Sequence, residues 1–193
     1  MVFVDCYEPE GKVMNVRLIS GLYGGRIIEG SGTSRTHPMG ERIRNAIFNK
    51  ISAELQDVEV LDAFAGSGAL GLEALSRGAK NITFIERDRV AQKIISNNIE
   101  LLGVQAQTTL VKAPVSGWAK ASDKQFDIIF ADPPYHDPQL STVSELFRLL
   151  KPNGLMVLSY PGRSETLAET GVVVVDNRSY GNAAIAYYRK KDA

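Results

Sequence analysis

Asp132-Pro133-Pro134-Tyr135 follows directly on the apolar run Phe126-Asp127-Ile128-Ile129-Phe130-Ala131. Two prolines cannot continue a hydrogen-bonded strand, because each lacks an amide proton and restricts the residue before it, so they set a rigid turn at the strand's carboxyl end. A carboxylate, a carbonyl and an aromatic ring at such a turn suit an exocyclic amine on a nucleic-acid base. The lone pair of that amine is delocalised into the ring, which makes it a poor nucleophile. The Asp132 carboxylate and the Pro133 carbonyl can accept its two hydrogens, favouring a geometry whose lone pair points at an electrophilic carbon. Tyr135 offers a face on which an unstacked base can lie. Asp132, Pro133, Pro134 and Tyr135 are therefore the candidate catalytic residues. A proline-stiffened structural turn accounts for the tetrapeptide alone, and its position in the fold is what argues for chemistry.

A second segment could hold a cofactor. Val60-Leu61-Asp62-Ala63-Phe64-Ala65-Gly66-Ser67-Gly68-Ala69-Leu70-Gly71 runs from a strand through a glycine turn into a helix and contains a literal G-x-G-x-x-G. Twenty residues after Gly66 stands Glu86, at the end of the next strand, where an acid can accept hydrogen bonds from ribose hydroxyls. In the dinucleotide fingerprint the glycines follow the strand at once and aim a helix N-terminus at a pyrophosphate. Here Asp62 and three further residues intervene. A carboxylate at that point suits a cofactor with a cationic amino-acid end and no phosphate, which favours S-adenosylmethionine. Asp62, Phe64, Gly66, Ser67, Gly68 and Glu86 are the candidate cofactor residues.

These residues need a scaffold that brings two strand ends together. From Val58 onward, short apolar runs alternate with helical segments, the pattern of a parallel sheet covered by helices. The spacing predicts strands at 58–62, 81–86, 107–111, 126–131, 154–160, 172–176 and 183–189, and helices at 69–77, 88–102, 138–150 and 163–169. In a doubly wound α/β sheet the first and fourth of these strands are neighbours, so the Asp62 loop and Asp132 open onto one crevice at the topological switch point. Before this region, 16–20 and 26–29 read as short extended runs around Gly21, Gly24 and Gly25, and 31–39 as a polar loop. Ile43, Ile47, Ile51 and Leu55 give residues 41–55 the stripe of an amphipathic helix, with Arg42 and Arg44 off it. The expected organisation is a tail at 1–13, an N-terminal arm and helix at 14–56, and a catalytic domain at 57–193.

Composition sets outer bounds. The 193 residues carry 22 Lys and Arg against 22 Asp and Glu, so indiscriminate coating of nucleic acid is not expected. The charge is unevenly placed, however. Between Lys12 and Lys50 stand Arg17, Arg26, Arg35, Arg42 and Arg44, opposed only by Glu29 and Glu41. That arm is the candidate polyanion contact, with Arg26, Arg35, His37, Arg42 and Arg44 as its substrate-facing residues. A single cysteine, Cys6, excludes an internal disulfide framework and suits a reducing compartment. No apolar run is long enough to span a bilayer, so a cytoplasmic protein without a membrane partner is expected. His37 and His136 lack partner ligands in sequence, and no metal is expected.

On these residues the chain resembles the RsmD-type bacterial methyltransferases, which modify the N2 amine of a guanine in small-subunit (16S) ribosomal RNA. The resemblance runs from Met14 onward, through the Gly24-Gly25-Arg26 turn, Arg42-Ile43-Arg44, Ala46-Ile47-Phe48-Asn49, the loop and helix from Leu61 to Ala79, and Asp132 to Tyr135. It implies a Rossmann-like class I fold whose seven-stranded sheet has an antiparallel last strand. It further implies S-adenosylmethionine as cofactor, catalysis around Asp132 to Tyr135, and an N-terminal arm that contacts the RNA, free or within an assembling ribosomal subunit. A monomer is expected. Two positions depart from the family's pattern. His37 stands before Pro38 where an arginine is usual, replacing a permanent charge by a titratable ring. Lys112-Ala113-Pro114 lacks the acid often placed at the adenine amine, leaving the backbone at Ala113 to serve there. The alternatives are an adenine-N6 or protein glutamine-amide acceptor for the same chemistry, a nicotinamide-dependent oxidoreductase, and a catalytically silent RNA-binding module.

Overall fold

The computed structural model describes residues 15–31, 39–162 and 166–192. The tail at 1–13, Met14, Arg35, His37 and Pro38 lie outside the described residues, as does the start of the helix expected at 163–169; residues 166–169 are irregular.

The chain opens with a hairpin of two short strands, β1 (Asn15–Arg17) and β2 (Ile27–Glu29), paired antiparallel with Val16 opposite Ile28. Helix α1 (Glu41–Lys50) follows. The remaining elements alternate: β3 (Glu59–Asp62), α2 (Ala69–Ser76), β4 (Asn81–Glu86), α3 (Arg89–Leu102), β5 (Thr108–Lys112), α4 (Val115–Ala121), β6 (Phe126–Ala131), α5 (Leu140–Phe147), β7 (Leu150–Pro161), β8 (Val172–Tyr180) and β9 (Ala183–Lys190). Strands β3 to β9 form one sheet in the order β5-β4-β3-β6-β7-β9-β8. β3 to β7 pair in parallel, and β9 inserts antiparallel between β7 and β8. The expected doubly wound sheet, with seven strands and its last one antiparallel, is the sheet observed.

Two apolar layers flank this sheet because its strands alternate their side chains between faces. One face packs α1, α2 and α3 through residues such as Ile47, Phe48, Leu72, Ile95 and Ile99, with Phe48 and Phe130 ring centroids 5.4 Å apart. Val16, Leu18 and Ile28 of the hairpin region are buried in this same cluster. The other face packs α4 and α5 through Val115, Ala119, Val143, Leu146 and Phe147.

The hairpin is clamped by polar side chains of α2. Glu73, fully buried, accepts the amides of Ile19 at 2.6 Å and Ser20 at 3.2 Å and pairs with Arg77 at 2.6 Å. Ser76 donates its hydroxyl to Ser20 O, accepts the Tyr23 amide on that hydroxyl, and accepts the Leu22 amide at its carbonyl. A side chain at Gly21, whose φ is 83°, would collide with the Ser76 carbonyl at 1.8 Å.

The structure corrects several boundaries. The helix expected over 41–55 ends at Lys50 and gives way to a 3-10 turn at Ser52–Glu54. The helix expected over 138–150 spans only Leu140–Phe147, preceded by Gln139 at a φ of 44°; Leu150 belongs instead to β7, opposite Phe126. Between Leu150 and Leu155 the pairing skips, and Asn153 takes a φ of 58°. Helix α4 was not expected: it has only Val115 and Ala119 buried, too few positions to print a period.

Candidate active site

Register places the two candidate segments at one end of neighbouring strands. Asp62 lies opposite Phe130 across the β3–β6 pair, and the Ala63 amide donates to Phe130 O at 2.9 Å. The glycine loop leaves β3 and the Asp132 turn leaves β6, and both border a cleft of about 890 Å³ at the carboxyl end of the sheet. Phe64, Gly66, Ser67, Glu86, Asp132, Pro133, Pro134 and Tyr135 line it, together with Met39, Gly40 and Ile43 from the start of α1 and Pro114 to Ser116.

The loop is held open by its glycines and by an acid from the next strand. Gly66 and Gly68 take φ values of 55° and 78°, left-handed conformations that glycine adopts without a Cβ penalty. Glu86 Oε2 accepts the Gly66 amide at 2.8 Å, and Oε1 accepts the Asp88 amide at 2.8 Å. An ionised carboxylate has about four lone-pair sites, so Glu86 retains capacity for hydroxyls of a ligand in the cleft. Asp88 then caps α3, accepting the amides of Val90 and Ala91. Gly71 serves packing: a methyl there would sit 2.3 Å from Phe84 Cε1 and 2.7 Å from Ile82 Cγ2.

Asp62 stands at the end of β3, beneath the glycine loop. It is 1% exposed, lies behind the cleft wall, and its Oδ2 accepts the Gly71 amide at 2.9 Å. It thus satisfies an amide in the first turn of α2 that has no partner within the helix. Burial pushes its carboxyl up to about 7 against the Gly71 hydrogen bond, with the neighbouring charges of Asp132 and Glu86 acting in the same direction as burial. Gly68 and Ala113 are also set back from the lining, whereas Pro114, beside Ala113, reaches it.

Asp132 is half-buried, and burial raises its carboxyl to about 6 while a hydrogen bond from the Ser159 hydroxyl holds it down. Tyr135 is 42% exposed and lines the cleft, with its hydroxyl 2.8 Å from Ser159 Oγ. Burial raises the Tyr135 hydroxyl above the ordinary tyrosine range. The arrangement offers a carboxylate that ionises below neutral pH and an accessible aromatic face beside the glycine loop. Among the described residues no cluster of three or more His, Cys, Asp or Glu could hold a metal ion.

The expected polyanion contacts separate. Arg26 and Arg42 are exposed, with Arg26 Nη2 donating to Leu101 O at 3.1 Å. Arg44 is 3% exposed, borders the cleft beside Ile43, and its Nη1 and Nη2 donate to Met39 O and Arg17 O, each at 2.8 Å. Arg44 precedes Ile47 by three residues and Phe48 by four, which places it on the buried stripe of α1. Burial lowers its pKa, and its guanidinium braces the arm against α1. Sequence reasoning missed Ser159, Asn98 and Glu73. The signal for Ser159 was a lone hydroxyl within the apolar run Leu155 to Tyr160.

The family described as conserved hypothetical protein 95 matches residues 16–189. Ribosomal RNA small subunit methyltransferase D of Haemophilus influenzae is 33% identical over 182 residues, covering 86% of this chain and 94% of that protein. The protein of the same name from Escherichia coli K12 is 36% identical over 140 residues, covering 72% and 68%. The solved structure of the yhhF protein of Escherichia coli superposes with a TM-score of 0.84 at 27% identity, covering 93% of this chain and all of that one. Matched along most of its length at this level of identity, the chain belongs to the conserved hypothetical protein 95 family, that of the RsmD-type methyltransferases.

Proposed function

We propose that this protein transfers a methyl group from S-adenosylmethionine to the exocyclic N2 amine of a guanine in small-subunit (16S) ribosomal RNA. The observation that carries the reading is the convergence of the glycine loop and the Asp132 turn on one cleft, with the Tyr135 ring exposed at its side. The names of the relatives support ribosomal RNA as the acceptor.

Bound S-adenosylmethionine supplies an electrophilic methyl on a sulfonium sulfur. The chain's residues act on the acceptor. Tyr135 presents a face for the unstacked base, and Asp132 with the Pro133 carbonyl receives the amine hydrogens, aligning its lone pair. As the nitrogen gains its methyl it becomes acidic, and Asp132, ionised above about pH 6, is placed to take the proton it sheds. Gly66, Ser67 and Glu86, which line the cleft, hold the cofactor side, and exposed Arg26 and Arg42 supply phosphate contacts on the arm.

The test incubates the protein with methyl-labelled S-adenosylmethionine and small ribosomal subunits lacking the modification, then digests the RNA and identifies the labelled nucleoside. Label in N2-methylguanosine is the expected result. Label in an adenine or in protein would retain the chemistry and overturn the acceptor.

A further inference from the structure

We infer that Ser159 is a positioning residue for methyl transfer, orienting the Asp132 carboxyl and the Tyr135 ring toward the acceptor. This rests on the reading that Asp132 receives the hydrogens of the acceptor amine. In the parallel β6–β7 pair, Ala131 lies opposite Leu158, so Asp132 and Ser159 are the next residues along the two strands. Ser159 is fixed in place by its neighbours: it is 1% exposed, pairs with Ile185 of β9, and sits among Val157, Leu158 and Tyr160, all buried.

A buried hydroxyl needs partners, and it has one proton to give and lone pairs to fill. Tyr135 O–H and Ser159 Oγ are 2.8 Å apart. Asp132 and Ser159 stand side by side at the ends of β6 and β7, and an ionised Asp132 can only accept, so we assign the Ser159 proton to that carboxylate and the Tyr135 proton to Ser159. The result is a directed chain, Tyr135 to Ser159 to Asp132, anchored on a strand in the middle of the sheet. It ties Tyr135, 42% exposed and on a turn made by two prolines, to a buried strand position. Other charged or titratable groups around this end of the sheet are Asp62 on β3, Glu86 on β4 with Arg87 and Asp88 after it, His136 on the same turn and Arg44 on α1. Burial raises the Asp132 carboxyl and Ser159 lowers it.

The experiment compares Ser159→Ala, Ser159→Thr, Tyr135→Phe and the Ser159→Ala/Tyr135→Phe pair in the full chain. Single-turnover transfer to unmodified small subunits, cofactor affinity, thermal stability and the carboxyl 13C titration of Asp132 in the free protein are measured, with Asp132→Asn assigning the signal. Ser159→Ala is expected to slow transfer roughly tenfold at unchanged cofactor affinity. It should also move the Asp132 titration upward from about 6, because its hydrogen-bond donor is gone. Ser159→Thr should restore both. Tyr135→Phe should cost less in the Ser159→Ala background than alone, since the chain is already broken. An unmoved titration in Ser159→Ala, or a rate loss matched by lost cofactor affinity or stability, overturns the inference. Full transfer by Asp132→Ala, which removes the acceptor oxygen altogether, would instead overturn the underlying reading of Asp132.

Discussion

The Asn98 side chain donates to the carbonyl oxygen of Ser67 across 3.0 Å, linking α3 to the glycine loop. The same fully buried amide donates to Glu29 O at 2.9 Å and accepts the Glu29 amide at 2.8 Å. One side chain therefore ties the N-terminal arm to the loop that borders the cleft. Replacing it with leucine strands three backbone groups, at a cost of about 1–3 kcal/mol for each that water does not reach. Asn98→Leu is expected to lower the urea midpoint and weaken cofactor binding together, read by chemical denaturation and equilibrium dialysis.

Asp132 predicts an acid limb for the reaction. Because its carboxyl ionises near 6, transfer should fall about tenfold per pH unit below that point, as the protonated acid ceases to accept amine hydrogens. A pH profile of single-turnover rates checks this, with cofactor saturating throughout. A flat profile between pH 5 and about 7 would remove Asp132 from the chemistry.

Asp62 predicts a pH slope in stability. Its folded-state value of about 7 lies above the ordinary 3.8, so the native state binds the proton more tightly than the unfolded chain does. Its favourable contribution is complete below 3.8 and is lost as pH rises toward 7. Urea titrations across that window should show a shallower decline with pH in Asp62→Asn than in the parent.

Gly71 is a glycine whose replacement should disturb the side-chain packing of the core directly. Its added methyl would meet Phe84 and Ile82, both at most 1% exposed and unable to swing away. Gly71→Ala is expected to destabilise by about 1–3 kcal/mol in thermal or chemical unfolding. A neutral outcome would mean that the β4 layer can shift.

Arg42 and Arg44 should behave differently despite being two residues apart. Arg42→Ala is expected to leave stability unchanged and flatten the salt dependence of RNA binding by about one in log–log slope. Arg44→Ala leaves the carbonyls of Met39 and Arg17 without their donors and should lower stability by about 1–3 kcal/mol. Filter binding across a salt series and a thermal melt separate the two effects.

Much of this fold is written locally. The runs at 81–86 and 126–131 coincide with β4 and β6 as observed, because buried parallel strands are short apolar stretches whatever lies beside them. The glycine loop is equally local, since positive φ at Gly66 and Gly68 is a property of single residues. Asp132 to Tyr135 could be named from residue type alone, because prolines end a strand wherever they fall. Helix α4 and the true start of β7 left no such mark: one buries two side chains, and the other joins an apolar stretch that continues the periodicity of α5.

By itself, then, the sequence determined the alternation of elements, the glycine turn, the carboxylate-proline turn and the family. Tertiary structure decided which partners those residues have. Asp62 became a cap on α2, Arg44 a brace inside the core, and Ser159 a neighbour of both Asp132 and Tyr135. The physical reason is that periodicity reports the face a side chain takes on its own element. Its hydrogen-bond partners come from strands and helices distant in the chain, and they are set by strand order and register only once the sheet has assembled.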